Sequence, residues 1–258
     1  MQFQIQAEMT YDFAERCEVL LLLEAAHGPD QTVRRERLDL NPAVDVARLD
    51  DPSTGERRAV FAAEGRVSLR YDADVSVLDR DATLEGSAAL AIRDLPGDVL
   101  RYLRPSRYCP SDRFESFVQR EFSDLSGGGK VARMMAWIAG HVDYRAGVSD
   151  ATSTAQDTFV DRAGVCRDFA HLAITLCRAA DIPARAVSAY AWKLDPPDMH
   201  AVVEVYLGGR WRLIDPTGLA PIEGLVRVAT GLDAADIAFM TIFGQAELVS
   251  QSFAIREA

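Results

Sequence analysis

A cysteine stands at the start of an apparent helix, directly after a helix-stopping glycine, in Gly164-Val165-Cys166-Arg167-Asp168-Phe169-Ala170. A chain that builds this turn must bring a small residue, a helix N-terminus and a thiol to one point. Cys166 precedes Phe169 by three residues and Ala173 by seven, so it shares the inward stripe of its helix at the first turn. The free N–H groups and partial positive charge of a helix N-terminus favour the thiolate, the form that attacks. The N–H of Cys166 can also hold the oxyanion of a tetrahedral intermediate. The competing reading is a buried structural cysteine, which is the assignment for Cys177, in mid-helix on the same stripe.

Downstream, residues 200–207 and 210–215 predict a hairpin about Gly208-Gly209. A two-residue turn sets Leu207 against Arg210 and Val202 against Asp215. His200 has the parity of Val202, so it shares a face with Asp215. Diagonal neighbours of this kind lie about 7–8 Å apart at the backbone, within reach of an imidazole and a carboxylate. Such a histidine can take a thiol proton while the carboxylate fixes its tautomer. Taken singly, His200 reads as a surface residue at a strand start, and Asp215 as the opening of the turn Asp215-Pro216-Thr217. Taken with Cys166, the three predict a nucleophile, a base and an orienter.

A zinc site built from Cys166, His171 and Cys177 fails on helix geometry. Cys166 and Cys177 share an azimuth but lie about 16 Å apart along the axis, and His171 points about 140° away from Cys166. One tetrahedral ion cannot take all three. Asp168 and His171 are assigned to the helix surface or to a supporting role, and His27 and His141 to structural ones.

The rest of the chain divides by pattern. Residues 1–95 are expected to form an antiparallel β-sandwich domain. Its strand candidates are 2–6, 18–23, 60–62, 66–71 and 73–78, separated by turn signals at His27-Gly28-Pro29-Asp30, Asn41-Pro42 and Asp51-Pro52. That stretch has no cysteine–histidine pair at a helix start, so it is expected to border the cleft or bind a partner rather than do chemistry. Residues 96–111, rich in Pro and Arg, are expected to link it to an α+β core over 112–258. In that core, Gly127-Gly128-Gly129 reads as a break between two apolar-striped helices. Thr154-Ala155-Gln156-Asp157 reads as a capping box opening a short helix that Gly164 closes.

Composition excludes some partners. A net charge of −11 argues against nucleic acid, whose phosphates need a basic surface, and against an anionic membrane. Gln2 to Gln6 alternates without a cationic start, unlike a signal peptide, and the apolar run 19–23 is too short to span a bilayer. Four cysteines scattered over 258 residues do not resemble a disulfide framework. A cytoplasmic location is the expectation, with Cys166 a free thiol.

Residues 164–172, then Cys177-Arg178-Ala179-Ala180-Asp181-Ile182-Pro183-Ala184-Arg185, resemble the bacterial transglutaminase-like superfamily. His200-Ala201-Val202-Val203-Glu204-Val205-Tyr206 and Trp211-Arg212-Leu213-Ile214-Asp215-Pro216-Thr217 match its histidine and aspartate motifs, in its order Cys, His, Asp. The β-rich first part is similar to a domain that often precedes this core in bacteria, and residues 102–108 resemble the junction. The resemblance implies a papain-like α+β core with Cys166 as nucleophile, His200 as base and Asp215 as orienter. It also implies a side chain that assists the oxyanion, for which Tyr144 is the candidate ahead of Gln156. Animal members need calcium; this chain has no loop of calcium-ligand spacing, so no metal or other cofactor is expected. The expected substrate is a peptide, a protein or a small amide. Attack on an amide carbonyl gives a thioester, which water hydrolyses or an amine converts to a crosslink. Many bacterial relatives are described as candidate cysteine proteases, and hydrolysis is the expected outcome. The alternatives are crosslinking and a non-catalytic binding module that retains the fold.

Overall fold

A computed structural model describes residues 1–80 and 82–258. The strand-rich first part is organised around β1 (Gln2–Leu21), whose alternation buries Phe3, Ile5, Ala7, Met9 and Phe13 on one face. Its antiparallel neighbour is β4 (Ala59–Val77), which buries Phe61, Val67, Leu69, Tyr71 and Val75 in the same way. β2 (Gln31–Asn41) and β3 (Ala47–Arg48) pair with β4. The expected strands 2–6 and 18–23 are thus parts of one strand. The alternation continues through Met9 and Tyr11, and a register irregularity between Phe13 and Cys17 interrupts the ladder without ending it.

The second sheet has the order β10-β7-β8-β9, from β7 (Ala184–Ala191), β8 (Met199–Leu207), β9 (Arg210–Ile214) and β10 (Leu225–Gly231). The expected hairpin register is present: Leu207 opposes Arg210 and Val203 opposes Ile214. Gly208 and Gly209 both take positive φ, at 60° and 80°, as a tight turn matched to strand twist requires. The helices are α1 (Glu115–Phe122), α2 (Gly127–His141), α3 (Ala155–Asp161), α4 (Cys166–Arg178) and the short α5 (Ala234–Ile237). α4 packs Phe169, Leu172, Ala173 and Leu176 into one core with Val203 and Val205 of β8. A two-residue parallel pair, β5 (Asp143–Tyr144) with β6 (Ala163–Gly164), lies just before it.

The mixed α and β class expected from the sequence is present, and the strand pairing corrects its details. The first part forms one six-stranded antiparallel sheet rather than two facing sheets. Two of its strands come from the far end of the chain: β11 (Met240–Phe243) and β12 (Ala246–Glu257) both pair with β1. The chain end assigned to the 112–258 core therefore completes the sheet of residues 1–77. The 96–111 segment is packed rather than loose. Tyr102 lies edge-on to Trp211, and the buried Arg178 guanidinium donates to the Arg104 carbonyl at 3.1 Å.

Two glycine readings also change. The triple glycine opens α2 instead of separating helices, because a Cβ at Gly128 would fall 1.6 Å from the Leu84 carbonyl oxygen. α3 ends on Arg162, which takes the left-handed conformation at φ 56°, and not on Gly164. The Thr154 box is formed: Asp157 accepts from the Thr154 N–H at 2.8 Å.

Candidate active site

The local fold around Cys166 follows from Gly164 and Asp168. Asp168 is the third residue of α4, fully buried, and its carboxylate accepts from the Val165 N–H at 2.8 Å and from the Ser149 hydroxyl at 2.5 Å. Those bonds satisfy one free donor of the helix start and tie the 145–150 loop to it. The side chain lies so close to Gly164 that a Cβ there would be 2.5 Å from the Asp168 Cβ. Glycine before the cysteine is a packing requirement, and Cys166 becomes the first residue of the helix. Asp168 and His171, assigned to the helix surface or to support, are both buried. His171 stacks on Tyr108 with ring centroids 5.1 Å apart and accepts from the Ala234 N–H at 3.1 Å. Burial lowers its pKa to about 4, so the ring is neutral.

His200 stands at the start of β8, and its Nε2 lies 3.0 Å from Asp215 Oδ2 just beyond β9. Asp215 is held from four sides. Its Oδ1 accepts from the Thr217 N–H at 2.9 Å and the Thr217 hydroxyl at 2.7 Å, and its Oδ2 also accepts from the Ala220 N–H at 3.0 Å. The carboxylate takes the Nε2 proton in a hydrogen bond and leaves Nδ1 as the nitrogen that exchanges a proton with other groups. Nδ1 is buried and has no hydrogen-bond partner among the described residues, and Cys166 lies close enough to act electrostatically on the ring. Burial opposes charge on His200, but the hydrogen bond to Asp215 and the nearby Cys166 sulfur outweigh it and raise the pKa to about 9. Burial likewise opposes charge on Asp215, and the His200 and Thr217 hydrogen bonds reverse that, holding its carboxyl below the usual carboxylate range.

Tyr144 reaches the same point by another route. β5 pairs with β6, setting Tyr144 beside Gly164 at the entrance to α4. Its half-exposed side chain lies close enough to Cys166 to feel its charge. Partial burial and the charge of Cys166 raise its pKa. Gln156 is exposed on α3. The structure therefore brings Cys166, His200, Asp215 and Tyr144 together. Sequence reasoning missed Thr217 and Ser149. Thr217 had a signal, since Asp-Pro-Thr is a motif in which the aspartate caps the residue two ahead; Ser149 had none.

Cys166 is the one cysteine with appreciable exposure, while Cys17, Cys109 and Cys177 are buried and all four are free thiols. Burial pushes the Cys109 and Cys177 thiols up to about 12. Iodoacetamide at neutral pH is expected to label Cys166 well before the other three, as read by peptide mass mapping of the folded protein. Equal labelling of all four would count against a reactive site at Cys166.

A cavity of about 680 Å³ lies apart from these groups, against the outer side of β8 and β9, lined by Arg80, Arg185, Glu204, Trp211 and Arg227 among others. It is walled by ion pairs joining the two sheets: Arg227 bridges Asp30 and Glu204 at 3.0 Å each, and Arg80 meets Asp30 at 2.6 Å. Burial lowers the pKa of both arginines to about 10. Their charges are matched by carboxylates and backbone carbonyls, as buried cations require.

The transglutaminase-like superfamily model matches residues 98–216, the stretch that contains Cys166, His200, Asp215 and Tyr144. The crystal structure described as "a Putative Cysteine Protease from Cytophaga hutchinsonii" is similar at a TM-score of 0.91 and 37% identity, over 99% of this chain and 90% of that one. A curated protein of Mycobacterium leprae, named "Uncharacterized protein ML0607", is 30% identical over 146 residues, 53% of this chain and 52% of that protein. The chain thus spans about half the length of the curated relative it matches. With the matched domain and the near full-length structural likeness, the chain belongs to the transglutaminase-like superfamily.

Proposed function

We propose that this protein is a thiol-dependent acyl-transfer enzyme that hydrolyses an amide or peptide bond. Cys166 is the nucleophile, His200 the general base and acid, Asp215 the orienter and Tyr144 the oxyanion donor. The observation that supports this reading most is the division of labour on His200: Nε2 is held by Asp215, and Nδ1 is left to the thiol at the first residue of a helix. With its pKa raised to about 9, His200 already holds the thiol proton on Nδ1 at neutral pH, so sulfur attacks the carbonyl carbon as the thiolate of an ion pair. The resulting oxyanion takes hydrogen bonds from the Cys166 N–H and the Tyr144 hydroxyl. His200 then gives its proton to the leaving amine, the C–N bond breaks, and a thioester remains. Water, deprotonated by the same ring, returns the free acid and the thiol.

Water needs no binding channel, whereas crosslinking needs a site that admits an amine and shields the thioester. The substrate class is a peptide, a protein or a small amide, with neither nucleic acid nor a membrane as partner. The net charge of −11 supports that exclusion, and no helix among the described residues is long and apolar enough to cross a membrane. Four free thiols support a cytoplasmic setting. A glutamine-containing peptide library incubated with a labelled primary amine tests the reaction. Release of free acid should exceed amine incorporation at millimolar amine. The reverse would make the protein a crosslinking enzyme, and no turnover of any amide would favour a binding module.

Tyr144→Phe removes a donor used only when the oxyanion forms. Its kcat is expected to fall about 10- to 100-fold with KM little changed. A rise in KM at constant kcat would instead make Tyr144 a substrate-binding residue.

A further inference from the structure

The outer edge of β12 has no strand beside it among the described residues: β12 pairs only with β1, along a twelve-residue strand. Residues 248–255 are uncharged and contain no lysine or proline, and positions 247–252 are exposed. Proteins ordinarily blunt such an edge, because its unpaired N–H and C=O groups are a template for another strand.

The register on β1 fixes the side each residue faces. Ile255, Phe253 and Gln251 oppose Ile5, Ala7 and Met9, whereas Arg256, Ala254 and Ser252 point to the other side. Ser250 opposes Thr10 but Leu248 opposes Tyr11, which leaves Val249 as an extra residue. Without that bulge, Glu247 and Arg256 would lie on opposite faces of the strand. With it, they share the outward face, and Leu248 shares the inward face with Ile255.

A two-fold antiparallel pairing must set each residue opposite one on the same face. We propose that the edge of β12 is a homodimer interface, in which two copies pair about Ser252 to make a continuous twelve-stranded sheet. Ser252 then meets its own counterpart, Gln251 meets Phe253, and Ser250 meets Ala254. Beyond the bulged Val249, Leu248 meets Ile255 and Glu247 meets Arg256. Each charge occurs twice, so two ion pairs flank the apolar pairs. Among the described residues neither Glu247 nor Arg256 has another ion-pair partner. Leu248 and Gln251 face inward yet remain exposed, so the body of the molecule does not overhang this part of the edge.

Sedimentation velocity on the full chain tests the pairing. The unaltered protein should show a concentration-dependent dimer. Glu247→Arg and Arg256→Glu each set like charges opposite one another at two places and should weaken association about tenfold. The double variant E247R/R256E restores opposite charges and should recover the dimer, which also shows that both substitutions are tolerated by the fold. A chain that stays monomeric at the highest attainable concentration would overturn the proposal. So would a dimer indifferent to the single reversals, or one that the double variant fails to restore.

Discussion

Replacing Cys166 by alanine is expected to abolish amide turnover, a loss of at least about ten-thousand-fold in kcat. No other thiol can substitute, because Cys17, Cys109 and Cys177 are all buried. Alanine is the best helix former and Cys166 opens α4, so the variant should melt within a few degrees of the parent. Loss of turnover with an unchanged melting temperature separates a chemical role from a structural one. Residual activity near the parent level would remove Cys166 from the chemistry.

Asp215→Asn is expected to have the second largest effect, and to show it in two readouts. Turnover should fall about 10³- to 10⁴-fold, because an amide can hold the wrong imidazole tautomer and cannot stabilise the imidazolium. Stability should change with a defined pH dependence. His200 has its pKa raised from 6.5 to about 9, so folding favours its protonated form. That contribution, on the order of 3 kcal/mol, is fully present below the unfolded pKa and is lost as pH rises through about 9. Asp215 has its pKa lowered, so its own contribution is present above the unfolded carboxylate pKa and fades as pH falls. The melting-temperature gap between the parent and Asp215→Asn should therefore be widest near pH 5–6 and narrow toward pH 9 and above. A gap that widens with rising pH would show that the imidazolium–carboxylate pair is not what Asp215 stabilises.

How much of this was legible in the sequence depended on the range of the interactions involved. The α4 stripe, the Gly208-Gly209 turn and the register that sets His200 beside Asp215 rest on local periodicity, and the structure reproduces them. Tyr144 was legible only as an aromatic in the right region, because its place depends on a two-residue pairing with Ala163-Gly164. The glycines misled because close packing, not a chain break, sets them: Gly128 is small because of Leu84 and Gly164 because of Asp168. The return of β11 and β12 to the first sheet was not legible at all. β11 is only four residues long, β12 is mostly exposed, and their partner β1 lies at the opposite end of the sequence. β2 escaped for a related reason, since an edge strand with charged side chains on its exposed positions shows little alternation.

The reading of Cys166 as an acyl-transfer nucleophile is tested most directly by intact-mass spectrometry of rapidly quenched reactions with an activated acyl donor, such as a nitrophenyl ester of a short peptide acid. The expected result is a transient adduct of one acyl group, mapped to Cys166, that decays to free acid in water. It should be absent from Cys166→Ala and formed far more slowly in His200→Ala. An adduct on any other residue, or none at all under conditions where iodoacetamide still labels Cys166, would contradict it.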